Sequence, residues 1–224
     1  MFYNGRFPHP AVPYGGTKKW AGRGLPFLRV SRYLHADKIK NGGIQNVKSQ
    51  DPRTRKLALY AVIAALYAAL TIALAPISYG PLQFRVSEAL TVIPFLIPGT
   101  VWGLFAGCIL ANLYTGSVLD IVFGSLATLL AAVCTARFGK AGNSVKNRLL
   151  GCLMPVVFNA VIVGAVLTWG YQIQEFENPL LSYGFNALTV GIGEAGVLYL
   201  IGYPLLQYLP KIKFIREMIE AFKQ

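Results

Sequence analysis

The chain has 224 residues and a formal net charge of +12. It is 54% hydrophobic and only 13% charged, against about 25% charged in an ordinary soluble domain. That mismatch argues against a soluble globular protein, and against nucleic-acid binding as the meaning of a basic chain.

The charge is unevenly placed. Residues 1–56 carry 12 Lys/Arg and 2 Asp/Glu, whereas residues 57–224 carry 9 and 7. Residues 1–46 mix Gly, Pro, Lys and Arg with scattered aromatics, show no sustained periodicity and contain no apolar core of a signal peptide. Two readings of this segment stand side by side. It is either a basic, disordered tail touching anionic lipid, or a translated leader upstream of a true start near Val47. The main domain is residues 47–224 on either reading.

The first apolar segment, Leu57–Ala75, is long enough to cross about 30 Å of hydrocarbon. It contains Ala61, Ala65, Ala69 and Ala73, which share one face of a helix. Such a stripe lets another helix approach closely in lipid; packing within the same chain and the sheer frequency of alanine are the plainer readings. Val86–Leu113 is interrupted by Pro94, Pro98 and Gly99 and reads as one broken helix or two short ones. Gly99, Gly103 and Gly107 form a second small-residue stripe within it, read as internal close packing. Val118–Ala136, Leu149–Trp169 and Tyr183–Leu209 are three further spans.

Loop charge decides the count, because Lys and Arg concentrate on the cytoplasmic side. The tail is basic, Arg137–Arg148 holds four basic residues and no acid, and the C-terminus holds Lys211, Lys213, Arg216 and Lys223. The loop between the last two spans holds Glu175 and Glu177 and no base. Val86–Leu113 must therefore cross twice, turning at Pro98-Gly99. The expectation is an all-α integral membrane protein of six transmembrane helices, with N and C termini cytoplasmic. Val86–Pro98 is short for a span, at about 20 Å as an α-helix; tilt, shielding by neighbours, or extension through Gln83–Ser87 would accommodate it.

The residues exclude several chemistries. Both histidines, His9 and His35, lie in the tail, so the membrane domain has neither a HExxH site nor a Ser-His triad. Cys108, Cys134 and Cys152 lack metal-ligand spacing and read as buried free thiols. Gly139-Lys140-Ala141 lacks the rest of a phosphate loop and reads as a basic loop. No enzyme, no metal site, no nucleic-acid partner and no cofactor of this chain's own are expected.

Polar residues at membrane depth mark function. Gln83, Arg85 and Glu88 lie between the first two spans. Asn112 and Tyr114 end the third, Asp120 opens the fourth, Asn159 lies mid-way in the fifth and Glu194 lies in the sixth. On the six-span topology they fall largely in the outer half and converge on one outward-facing pocket. Each has a plainer reading: a capping box for Ser117-Val-Leu-Asp120, a local pair for Arg85 and Glu88, an interhelical hydrogen bond for Asn159. Glu194 sits among small neighbours in Val190-Gly-Ile-Gly-Glu-Ala-Gly196 and needs a cation, a donor-rich ligand or a proton.

From about Lys56 to Leu209 the chain resembles the QueT family of queuosine-precursor transporters. The resemblance rests on Ala75–Leu90 (with QFRVSEAL from Gln83), Ala111–Tyr114, DIVFGSLATL from Asp120, Pro155–Ala160 and Val190–Glu194. It implies a substrate-binding S-component of an energy-coupling factor (ECF) transporter in a bacterial plasma membrane. It implies docking of the alanine stripe on a scaffold transmembrane subunit, with ATP used by two partner ATPases. The loop Pro76–Ser87 would close over the ligand. The implied ligand is a 7-deazaguanine of the preQ1 or preQ0 type, whose ring Tyr79, Phe84 or Tyr114 would stack on. The competing class is a stand-alone carrier using Glu194 or Asp120 as proton sites, or a small channel.

Overall fold

The computed structural model describes residues 51–79 and 83–223. The readings made for residues 1–46 lie outside that range, as do Gly80, Pro81 and Leu82 in the proposed closing loop. Among the described residues the chain is helical and has no strand. The helices are α1 (Pro52–Ala73), α2 (Val86–Leu96), α3 (Pro98–Leu113), α4 (Asp120–Ala141), α5 (Val145–Gly170), α6 (Pro179–Lys211) and α7 (Lys213–Lys223), with a single turn at Ala75–Ser78 after α1. By length and composition α1, α4, α5 and α6 can each cross a membrane, whereas α2 and α3 are shorter apolar helices. The chain is an all-helical integral membrane protein.

The helix starts follow local chemistry. Asp51 accepts a hydrogen bond from Arg53 N at 3.1 Å and Pro52 opens α1. Asn178 and Pro179 do the same for α6, with Leu180 N donating to Asn178 Oδ1 at 2.9 Å. Ser144 caps α5 through Asn147 N at 3.2 Å. The basic Gly139-Lys140-Ala141 is not a loop, as expected from sequence, but the last turn of α4. The chain leaves that helix at Gly142, whose φ of 132° suits only glycine, and re-enters a helix at Val145.

Helix α2 is central. It touches α1, α4, α5 and α6, and Ser87 to Val92 are all buried. Of the three accommodations for its length, shielding by neighbours is the one present. Extension is not the answer, since Gln83–Arg85 is non-helical and the helix begins at Val86. Its first seven residues are wound as a 3-10 helix, which rises about 2.0 Å per residue and so lengthens α2 at fixed residue number. Ile97 breaks the helix in an extended conformation, and Pro98 starts α3, which fits the turn read at Pro98-Gly99.

The glycine stripe is an α1–α3 contact. A Cβ on Gly103 would lie 2.6 Å from the Tyr60 carbonyl oxygen, and one on Gly107 would lie 2.8 Å from that of Ala64. The two backbones therefore meet directly, the close approach that small residues permit in lipid. The alanine stripe is on the other side of α1: Ala61, Ala65, Ala69 and Ala73 are all exposed. A different device joins α4 to α5. Pro155 has no N–H to give the Gly151 carbonyl one turn earlier, and the buried Thr135 hydroxyl of α4 donates to that oxygen instead at 2.9 Å. At membrane depth a carbonyl left without a donor is costly.

Candidate ligand site

The non-helical residues Gln83–Arg85 lead into α2, and the candidate site is built around this segment. Arg85 and Glu88 are both buried, Glu88 completely. They do not form the local pair that their spacing allows. Oε1 of Glu88 accepts from the Tyr67 hydroxyl of α1 and from the Thr128 hydroxyl of α4, the latter at 3.0 Å, while Oε2 has no partner. The Arg85 guanidinium lies over the Tyr79 ring, 5.3 Å from its centroid, a cation–π contact. Its Nε atom has no hydrogen-bond partner.

Two more residues join from α5 and α6. Asn159 of α5 and Glu194 of α6 are both buried, on helices that pack against the first turns of α2. Glu194 Oε2 and both amide atoms of Asn159 are buried without partners. The interhelical hydrogen bond expected for Asn159 is therefore not made. Each buried, unpartnered polar atom costs about 1–3 kcal/mol, a heavy burden on a fold whose whole stability is about 5–15 kcal/mol. Five such atoms lie on four residues of these packed helices, a concentration rather than scattered defects. The cluster holds two carboxylates to one guanidinium, so a donor-rich or cationic ligand complements it.

The remaining residues singled out in the sequence divide. Asn112 is fully buried but structural in its contacts: Nδ2 donates to the Asp120 carbonyl at 2.8 Å and to Cys108 Sγ at 3.4 Å, leaving Oδ1 unpartnered. Asp120 is half of the capping box read from sequence. Its N–H donates to Ser117 Oγ at 3.4 Å, but its carboxylate turns outward to accept from Tyr171 Oη at 2.8 Å. With that hydrogen spent on Asp120, the Tyr171 oxygen accepts from the Ser117 hydroxyl. Its phenol is pushed up by burial, pulled back by the Ser117 hydrogen bond and raised again by Asp120. Asp120 and Tyr171 thus tie the start of α4 to the end of α5. Tyr114 is 63% exposed and does not face it. Gln83 is half-buried with a φ of 43°, a left-handed conformation that costs a non-glycine residue about 1 kcal/mol or more.

Of the three candidate stacking aromatics, Tyr79 donates its hydroxyl to the Ala111 carbonyl at 2.9 Å with its ring under Arg85. Phe84 packs beside Gly196, on the same helix as Glu194. Sequence reading missed Tyr67, Thr128 and Cys108. A signal existed for Tyr67: it points away from the alanine stripe, and a buried tyrosine hydroxyl at membrane depth needs a partner. A separate cleft of about 520 Å³, lined by Lys56, Tyr60, Phe95, Lys140 and Phe222 among others, lies at the start of α1 and the end of α4, away from the cluster.

One relative is the queuosine precursor transporter QueT of Lactococcus lactis subsp. cremoris, 38% identical over 80 residues, or 35% of this chain and 47% of that protein. The match thus spans about half the length of that relative. No solved structure matches the chain. A family model described as QueT transporter matches residues 57–211, which run from the sixth residue of α1 to the last residue of α6 and include every member of the buried cluster. A multi-pass helical protein whose matched region covers more than two thirds of its length, and whose family consists of transporters and not enzymes, belongs to the QueT transporter family.

Proposed function

We propose that this chain is the substrate-binding S-component of an ATP-driven ECF importer and captures a queuosine precursor, a preQ1- or preQ0-type 7-deazaguanine, from outside the cell. The observation that carries this reading is the cluster of buried, unpartnered atoms on Arg85, Glu88, Asn159 and Glu194. A guanine-like edge is rich in N–H donors, and three of the free atoms, Glu88 Oε2, Glu194 Oε2 and Asn159 Oδ1, are acceptors. Arg85 Nε and Asn159 Nδ2 remain to donate to ring or carbonyl acceptors. The Lactococcus relative, a queuosine precursor transporter, is in keeping with that ligand.

In this reading residues 47–224 form six spans, α2 and α3 crossing between α1 and α4, with both ends in the cytoplasm. Loop charge supports that topology. The scaffold transmembrane subunit docks on Ala61, Ala65 and Ala69, with Ala73 at the end of the stripe, and two ATPase subunits supply the energy. The exposure of all four alanines, on the face of α1 opposite Tyr67, supports an intermolecular role.

Mass spectrometry of the protein purified from its native membrane is expected to find a bound deazapurine. Absence of such a compound, together with no calorimetric binding of preQ1 or preQ0, would sink the reading. Uptake that persists in cells lacking the partner ATPases would favour an ion-coupled carrier instead. For docking, Ala65→Trp is expected to stop co-purification with the scaffold subunit while leaving ligand affinity intact. Co-purification that survives the substitution would count against the stripe.

A further inference from the structure

We propose that Tyr67 and Thr128 are positioning residues of the ligand site, whose hydroxyls hold Oε1 of Glu88 and so aim Oε2 at the ligand. The inference rests on the reading above, in which the Arg85–Glu88–Asn159–Glu194 cluster receives a deazaguanine.

A count of hydrogens supports it. Tyr67 and Thr128 each have one hydroxyl hydrogen, and each has Glu88 Oε1 as an acceptor. Thr128 Oγ1 also lies 3.3 Å from Cys108 Sγ. With the Thr128 hydrogen given to Glu88, the thiol hydrogen of Cys108 fills the lone pair of Thr128. Asn112 Nδ2 then donates to the sulfur at 3.4 Å. Every donor in this chain is used once, and all point toward one oxygen of one carboxylate. The other oxygen receives none.

The same end of α2 is clamped beside Glu88. Thr71 Oγ1 donates to the Tyr67 carbonyl at 2.9 Å, so the 2.6 Å contact between Thr71 and Ser87 takes its hydrogen from Ser87. Helix α1 therefore holds α2 through two side-chain contacts, one on the residue before Glu88 and one on Glu88 itself. A carboxylate held by a single oxygen in a fully buried position has one orientation, and that pre-organisation is what a binding site requires of its first contacts. Tyr67 and Thr128 touch no ligand in this arrangement; they act through Glu88.

The test is calorimetric titration of preQ1 into the full chain in detergent. Tyr67→Phe and Thr128→Val are each expected to weaken binding roughly tenfold, the size of one charge-assisted hydrogen bond. Thr128→Ser, which keeps the hydroxyl, is expected to stay within about twofold. A merely structural role would not predict the next result. In a Glu88→Gln background, Tyr67→Phe is expected to add less than about threefold, because the residue acts through the carboxylate already removed. Full multiplication of the two losses, or wild-type affinity in both Tyr67→Phe and Thr128→Val, would overturn the proposal. Failure of the unaltered protein to bind preQ1 or preQ0 would instead remove the functional reading beneath it.

Discussion

Glu194→Gln is expected to weaken preQ1 binding roughly 10- to 100-fold and to affect preQ0 far less, because a hydrogen bond to a charged partner is worth about 1.5–3 kcal/mol. The choice of Glu194 over Glu88 comes from their surroundings. Glu88 already accepts two hydroxyl donors, whereas among the described residues no donor reaches Glu194 Oε2. The one guanidinium in the cluster, on Arg85, lies over the Tyr79 ring, and its Nε has no hydrogen-bond partner. Glu194 is thus the group most in need of a cation, and the aminomethyl group of preQ1 supplies one. The nitrile of preQ0 does not, so removal of the Glu194 charge costs it little. Calorimetry with both ligands checks this, and equal losses would take the ammonium away from Glu194.

Gly139→Ala is expected to prevent folding or to lower the thermal unfolding temperature sharply. A Cβ at Gly139 would lie 2.0 Å from the Phe95 carbonyl oxygen and 2.7 Å from the Phe95 Cα. The obstacle is backbone, which cannot rotate away as a side chain can, so α4 and α2 must separate. Overpacking typically costs about 1–3 kcal/mol, and separating α2, the central helix, should reach the upper end of that range or pass it. Gly184 in α6 provides the contrast, since a Cβ there meets nothing within 4 Å. Gly184→Ala is expected to be neutral or stabilising by up to about 1 kcal/mol, the helix propensity gained. The two substitutions make the same chemical change, so opposite signs in thermal unfolding would isolate the close approach. Similar behaviour in both would refute it.

Much of the architecture was legible because the bilayer imposes one strong rule, long apolar runs bounded by charge. Four spans read from composition match α1, α4, α5 and α6 to within a few residues, and the break at Pro98-Gly99 falls where α2 gives way to α3. The polar residues of the apolar helices were legible as a set, because a charge inside a span is costly wherever it points. Their division into those with partners and those left unpartnered was not. Asp120 and Asn112 have the same residue types as Glu194 and Asn159, yet their contacts go to Tyr171, Cys108 and the Asp120 carbonyl.

Composition, periodicity and loop charge by themselves determined that this is a helical membrane protein with few charges inside its apolar helices. Only the tertiary structure decided three things: that short α2 is enclosed by its neighbours, that the alanine stripe faces outward while the glycine stripe packs on Tyr60 and Ala64, and that Tyr67 and Thr128 hold Glu88. The reason is physical. Hydrophobic partition depends on each segment alone and is written along the chain. Hydrogen-bond satisfaction depends on which atoms meet, and here the donors to Glu88 stand 21 and 40 residues away from it.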